Sequence, residues 1–303
     1  MHILTLIAAP ERADLSDAAL AEVARSWPLG RARWLAVGEA VEASLPSLPA
    51  ADDRWQLWER WQERGIDLVV LPAPARRKRV LLADMDSTMI EQECIDELAV
   101  AAGVGDLVAG ITARAMSGEL DFAEALRARV ALLVGLPLDV VVSVLKERIT
   151  PSSGGAALVA TMKAHGAHAA LVSGGFTPFS APVAQLLGFD EHRANTLVVQ
   201  EARLTGEVAE PVLGAGAKAA ALREITAGLG LSPAEAIAVG DGANDLPMLQ
   251  LAGIGVALHA KPEVAAQCEV RINHGDLTSL LYLQGYAAQE FVRPSPQSFE
   301  VPS

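Results

Sequence analysis

Asp84 and Asp86 stand two residues apart where the short apolar run Val80-Leu81-Leu82-Ala83 ends, and the hydroxyls of Ser87 and Thr88 follow them. Carboxylates are costly to bury unpaired, so several at one strand end call for a cation. A hard divalent ion such as Mg2+ suits an all-oxygen donor set and commonly binds phosphate as well. A second run of the same kind, Ala236-Ile237-Ala238-Val239-Gly240, ends in Asp241-Gly242-Ala243-Asn244-Asp245. Side by side, the two ends would form one anionic pocket at the carboxyl edge of a parallel sheet, where open α/β folds bind ligands. Between them, Ala169-Ala170-Leu171-Val172 reads as a third strand running into Ser173-Gly174-Gly175. A hydroxyl and exposed backbone N–H groups there suit phosphate oxygens. Lys218 follows Gly214-Ala215-Gly216 and leads an alanine-rich helical segment to Thr226, which brings an ammonium to the same cleft.

The elements that must position these groups can be read from composition and pattern. The chain has 303 residues, 51% hydrophobic, 20% charged and 4% aromatic, enough for one large or two modest domains with an aliphatic core. Its formal charge of −13 argues against nucleic acid or an anionic membrane as partner, and an anionic substrate has to be attracted locally. No apolar run approaches the roughly 20 residues of a membrane span, and Met1-His2-Ile3 lacks the basic start of a signal peptide, so a cytoplasmic location is expected. Cys94 and Cys268 are far apart and have no metal-like spacing, as expected of buried thiols. The histidines at 165, 168, 192, 259 and 274 likewise lack metal-like spacing and are expected on the surface.

All five tryptophans precede the first acidic motif, which sets off residues 1–75 as a separate unit ending at Pro72-Ala73-Pro74-Ala75. Strands are expected at Ile3–Ala8, Arg33–Val37, Val41–Leu48 and Ile66–Leu71, with helices at Leu15–Trp27 and Arg54–Arg64. This βαββαβ order is that of a small ferredoxin-like module. Trp55, Trp58 and Trp61 recur every three residues and are expected to pack a helix face. The basic run Arg76-Arg77-Lys78-Arg79 reads as a solvated linker or a clamp on an acidic surface.

Residues 76–292 form the second unit. From 95 to about 166 its pattern is continuously helical, with Asp121 and Glu124 as a capping box. An insertion of that length after a strand is expected to be a lid. Strand and helix alternation then resumes as in a doubly wound parallel sheet. The Pro- and Ser-rich tail, 293–303, is expected to be disordered.

In this order, Asp84-x-Asp86-Ser87-Thr88, Ser173-Gly174-Gly175, Lys218 and Gly240-Asp241-Gly242-Ala243-Asn244-Asp245 resemble the four motifs of the haloacid dehalogenase-like phosphatases. Glu93, Phe122 and Arg129 narrow the resemblance to the members that act on phosphoserine, over residues 79–286. It implies an α/β fold with a Rossmann-like doubly wound sheet, a helical cap insertion and, here, a ferredoxin-like or ACT-like first domain. By the resemblance, Asp84 is the nucleophile and Asp86 the general acid and base. Mg2+ would be held by the Asp84 carboxylate, the Asp86 carbonyl and Asp241, with Asn244 and Asp245 in support. Ser173, the Gly174 N–H and Lys218 would take the phosphate oxygens. Glu93 would meet the substrate ammonium and Arg129 its carboxylate, with Met116 and Phe122 as further cap contacts. Phe122 and Arg129 are seven residues apart, two helical turns, and therefore share a face. Ser87 and Thr88 are expected either to cap the next helix or to touch phosphate.

The implied reaction is Mg2+-dependent phosphoserine hydrolysis, the last step of the phosphorylated route to serine. Phosphotransfer to an alcohol such as homoserine, or broader phosphomonoester hydrolysis, is the alternative. Asp86 speaks against dehalogenases, which lack the second aspartate, and against P-type ATPases, which carry threonine there. Related chains carry an amino-acid-binding ACT domain at the amino end, but no glycine-rich turn follows the first strand here. The first unit is accordingly read as a structural or dimerising module.

Overall fold

The structure, a computed structural model, describes residues 1–116, 119–295 and 299. In the first unit β1 (His2–Ala8), α1 (Asp17–Ser26), β2 (Ala32–Ala36), β3 (Ala40–Leu45), α2 (Ala51–Gln62) and β4 (Ile66–Pro72) follow in the expected order. The sheet runs β2-β3-β1-β4 with every neighbour antiparallel, the ferredoxin-like arrangement. β3 stops at Leu45 rather than Leu48 because Pro46 has no N–H to continue the ladder. The second helix begins at Ala51, three residues earlier than expected, where Asp52 and Asp53 suit the positive helix end.

The rest of the chain begins with β5 (Val80–Ala83), then α3 (Cys94–Ala101), α4 (Gly105–Met116), α5 (Phe122–Ala131), α6 (Leu138–Arg148) and α7 (Gly155–Ala164). It continues through β6 (His168–Phe176), α8 (Thr177–Leu187), β7 (Glu191–Asn195), β8 (Leu197–Gln200), β9 (Arg203–Val208) and α9 (Ala215–Gly228). It closes with β10 (Ala236–Gly240), α10 (Leu246–Leu251), β11 (Ile254–Leu258), α11 (Pro262–Ala265), β12 (Val270–Ile272) and α12 (Ser279–Leu283).

Six of these strands make one parallel sheet in the order β12-β11-β10-β5-β6-β7. Its central strands are apolar without interruption because both faces are covered. Leu81, Ala83, Ile237 and Val239 enter one core, and their neighbours Val80, Leu82, Ala236 and Ala238 enter another across the sheet. Strand order reverses between β5 and β10, which opens a crevice at their carboxyl ends.

Helices α3 to α6 form the insertion above that crevice, whereas α7 packs back on β6 and α8 as the crossover into the sheet. The two-stranded β8–β9 ribbon, which simple alternation after 166 does not anticipate, joins the insertion. Gly135 and Leu138 donate their N–H groups to Leu204 and Ala202. The expected capping box is formed, Glu124 N–H to Asp121 Oδ1 at 2.8 Å and Asp121 N–H to Glu124 Oε2 at 3.0 Å. Most of the tail, 296–298 and 300–303, lies outside the described residues. No helix among the described residues is long and apolar enough to cross a membrane.

The junction at 72–75 is closely packed rather than open. One face of the first sheet buries Leu4, Leu6 and Leu68 under α1 and α2, with Val23 and Trp61. The other face sends Ile7, Val69 and Leu71 into the same core as Leu280, Leu281 and Tyr282. The basic run clamps this junction. Arg76 pairs with Glu42 at 2.9 Å, Arg77 pairs with Glu290 and covers Tyr286, and Lys78 donates to the Ala234 carbonyl.

Asp67 on β4 is fully buried and accepts the backbone N–H groups of Asn273, His274 and Gly275 at 2.8–3.0 Å. Asp67→Ala would strand one buried and two partly buried donors on the order of 1–3 kcal/mol each, so about 3 kcal/mol of stability should be lost. A urea midpoint within about 0.3 M of the parent's would contradict that lock.

Candidate active site

Asp84 is the first residue after β5, and its N–H donates to the Val239 carbonyl of β10 at 3.0 Å, which binds the two strand ends together. Its carboxylate is almost wholly buried, with Oδ1 accepting the Met85 N–H at 2.8 Å and the Lys218 ammonium at 2.6 Å. Lys218 also reaches Asp245 Oδ1 at 2.7 Å. Gly240 permits this, since an added Cβ would lie 2.3 Å from Asp245 Cγ. Oxygens of Asp84, Asp241 and Asp245 fall within 4.8 Å of one another.

The turn after Asp84 brings Ser87 to φ 54° and re-aims the chain. Asp86 is thereby held by two donors, Cys94 N–H to Oδ1 at 2.9 Å and Ser173 Oγ to Oδ2 at 3.1 Å. Ser173 Oγ in turn accepts the Gly175 N–H at 2.8 Å. A Cβ on Gly175 would stand 2.4 Å from Asp86 Oδ2, so glycine is required for the carboxylate to lie against the loop. Ser87 and Thr88 do not cap the next helix, whose N-cap position is Glu93. Ser87 Oγ donates to Glu93 Oε1 at 2.9 Å and Thr88 Oγ1 to Asp241 Oδ1 at 3.1 Å, so each steadies an acid of the cleft.

From the insertion, the Phe122 ring lies over the glycine loop. A Cβ on Gly174 would meet it at 2.9 Å, and one on Gly214 at 3.3 Å. One helix face carries Arg129 as well, whose Nε donates to the Ala125 carbonyl and which feels the charges of Asp96, Glu93 and Asp86. Asn244 folds onto its own loop, with Oδ1 facing Gly242. Met116 closes α4, and its side chain lies outside what the structure describes.

Electrostatics follow from crowding acids in a dry cleft. Burial, reinforced by the charge of Asp245, pushes Asp84 well above the usual carboxylate range, with Lys218 opposing. Burial and Asp245 raise Asp241 too. Burial together with Asp86 pushes Glu93 up to about 7. Lys218 loses by burial, but the charges of Asp84 and Asp245 outweigh this and keep it firmly protonated. Asp84, Asp86, Glu93, Asp241 and Asp245 thus outnumber Lys218 and Arg129. An oxygen donor set with this excess of acid fits a hard divalent cation.

Of two supporting residues, Asp245 is expected from its motif and Asn195 is not evident from the sequence. Asp245 is fully buried and is the second carboxylate on Lys218. Asn195, at the end of β7 and also buried, donates from Nδ2 to the Gly174 carbonyl at 2.8 Å and accepts the Leu213 N–H at 2.7 Å. It ties the glycine loop to the segment that leads into α9. Nothing local marks it, because its partners lie 18 and 21 residues away.

Known proteins share this architecture. A Streptomyces coelicolor protein named phosphoserine phosphatase is 41% identical over 254 residues, 83% of this chain. The chain spans 62% of that relative's own length. Among solved structures, a hydrolase of the same superfamily from Salmonella enterica serovar Typhi superposes with a TM-score of 0.85 at 30% identity, over 93% of this chain and 97% of that one. A phospho-aspartyl intermediate analogue of phosphoserine phosphatase superposes with a TM-score of 0.64 at 39% identity, covering 68% of this chain and 98% of its own. The family match itself runs over residues 81–250, from within β5 to within α10 and so through every acidic strand end described above. With more than half of its length in that match, the chain belongs to the haloacid dehalogenase-like hydrolases.

Proposed function

We propose that the protein hydrolyses O-phosphoserine to serine and phosphate through an aspartyl phosphate on Asp84, with Mg2+ as its metal. The observation that carries this reading is the placement of Glu93 and Arg129 in the field of Asp86, one anion and one cation beyond the phosphate site, with Glu93 held by Ser87 Oγ at 2.9 Å in the turn after Asp84. A phosphomonoester alone needs neither, whereas phosphoserine presents an ammonium and a carboxylate in addition to its phosphate. The names of the relatives are in keeping with it.

The Asp84 carboxylate attacks phosphorus in line, and the bond from phosphorus to the serine oxygen breaks as Asp86 gives that oxygen its proton. Water then attacks the acyl phosphate while Asp86 takes its proton, which releases phosphate and restores both carboxyl groups. Ser173 already donates to Asp86 Oδ2 and orients it. Lys218 and the Gly174 N–H spread the charge that grows on the phosphoryl oxygens. Phe122, seated over Gly174, excludes water from the first step. Asp84 and Asp241, with the Asp86 carbonyl, would hold Mg2+, which when bound neutralises phosphate and carboxylate charge. Asp245 orients Lys218 against Asp84.

The deciding assay is phosphate release from a panel of phosphomonoesters with and without Mg2+ and with acceptor alcohols. Phosphoserine should be preferred and its release should depend on Mg2+. Transfer to homoserine faster than release would replace hydrolysis by phosphotransfer.

The metal can also be read without turnover. Asp84, Asp241 and Glu93 have folded pKa values above their unfolded values near 4, so the stability they contribute is complete below about pH 4. It is lost as pH rises, through about 7 for Glu93. Saturating Mg2+ should therefore raise Tm more at pH 8 than at pH 5, by roughly 5 °C at the higher pH. An equal shift at both values would place the ion elsewhere.

A further inference from the structure

The insertion leaves the core through residues 89–92 and returns through 149–154, and these two linkers lie side by side as the hinge of the cap. Glu91 N–H donates to the Thr150 carbonyl and Ser152 N–H to the Met89 carbonyl, both at 3.0 Å, with Ile90 and Pro151 bridged antiparallel between them. The outgoing linker joins the turn that carries Asp86 to Glu93 and to Cys94, whose N–H holds Asp86. A ribbon of two such short strands is marginal in water, and Pro151 has no N–H with which to lengthen the ladder. The hinge needs a support of its own.

That support comes from the loop between β12 and α12. Leu277 N–H donates to the Ser153 carbonyl at 3.2 Å, and Ser153 Oγ donates to Asp276 Oδ2 at 2.7 Å. Gly154 stands at φ 78°, and a Cβ on it would lie 2.7 Å from the Thr278 nitrogen and 2.9 Å from Asp276 Oδ2. A Cβ on Gly155 would meet Met89 Cε at 3.1 Å and Leu277 Cδ1 at 3.3 Å. Loop, return linker and turn are therefore packed directly on one another. The other oxygen of Asp276 accepts from the Thr278 N–H at 2.8 Å and from its hydroxyl.

The loop is fastened in turn by the first unit. Asp276 directly follows the three residues whose N–H groups Asp67 accepts. A Cβ on Gly275 would lie 3.2 Å from Ile7 Cγ2 of β1, and His259 Nε2 donates to the Gly275 carbonyl at 2.9 Å. We propose that the first unit braces the hinge of the cap, with Asp67 fixing the 273–278 loop and Asp276 passing that hold through Ser153 to the return linker. Asp276 and Ser153 are then positioning residues, acting on Asp86 and Glu93 through the hinge. Were Asp276 only a cap for the short α12, its bonds to Thr278 would suffice and Ser153 would be idle.

Hydrogen exchange on the full chain without substrate tests the brace. Ser153 is exposed, so Ser153→Ala removes the bond to Asp276 without opening a cavity. The Glu91 and Ser152 amides should then exchange about fivefold faster or more, with the β10 amides unchanged. Asp67→Asn should act on the same two amides from the first unit, speeding them by a larger factor than those of β10. Parent rates at Glu91 and Ser152 in Ser153→Ala would overturn the proposal, as would an acceleration in Asp67→Asn no greater than that in β10. A looser hinge populates the closed cap less, so in Ser153→Ala the KM for phosphoserine should rise about threefold with kcat within about twofold. An unchanged KM would overturn the link from hinge to catalysis. This kinetic arm rests on the proposed reaction, whereas exchange is read without substrate, so failure of the one is distinguishable from failure of the other.

Discussion

Asp84→Asn should lower phosphate release by roughly 10³-fold or more while leaving the fold intact. The amide is nearly isosteric with the carboxylate, and its oxygen can still accept the Met85 N–H now bonded at 2.8 Å. Lys218 would not be stranded, because Asp245 holds it from the other side at 2.7 Å. The substitution also removes one negative charge from a crowded, buried cluster in which burial already opposes ionisation of Asp84. Loss of function should therefore come without loss of stability, and thermal unfolding should show a Tm equal to or above the parent's. What the amide lacks is nucleophilicity, so no acyl phosphate can form. Beryllofluoride, which mimics an acyl phosphate, should label the parent and not the variant. Turnover within tenfold of the parent would end the covalent route.

The acidic strand ends were legible because their chemistry is local. Asp84 and Asp86 follow an apolar run too short for a buried helix, and burial on both faces makes such a run a central parallel strand. The first unit was legible for a related reason, since its strands and helices follow period and punctuation closely, and the larger boundary shifts fall at Pro46 and at the acids at 52 and 53, the others being one or two residues.

What stayed hidden depends on contacts between residues remote in sequence. Thr88 meets Asp241 across 153 positions, and Asp67 receives N–H groups from a loop more than 200 residues away. A hydroxyl beside two aspartates has several plausible local uses, and sequence offers no means of choosing the distant one. The Pro-rich boundary at 72–75 sets off a separate unit in the sequence. The burial of Ile7, Val69 and Leu71 with Leu280 and Tyr282 gives that unit a share of the main core instead. Gly175 reads in sequence as an exposed N–H for phosphate and Gly240 as the end of an apolar run, whereas the structural reason for both is space for the Asp86 and Asp245 carboxylates.

Arg129→Ala should separate a phosphatase for phosphoserine from a generic one on the same scaffold. The guanidinium is partly buried and lies in the field of Asp96, Glu93 and Asp86, at the mouth of the cleft that Phe122 closes. If it grips the substrate carboxylate, its removal costs a charge-assisted hydrogen bond away from bulk water, on the order of 2–5 kcal/mol, or roughly 30- to several thousand-fold in kcat/KM. p-Nitrophenyl phosphate carries no carboxylate and should change by no more than about threefold. Glu93→Gln should show the same asymmetry through the ammonium, with a larger collateral effect because Glu93 also accepts from Ser87 in the turn that follows Asp84. That turn sets the Asp86 carboxyl, so a structural contribution from Glu93 would depress both substrates, while Arg129 is anchored within the cap, by Ala125 and Thr112 among the described residues. Equal losses on both substrates in Arg129→Ala would therefore mean that the arginine holds the cap in shape, and the assignment of phosphoserine would lose its main physical support.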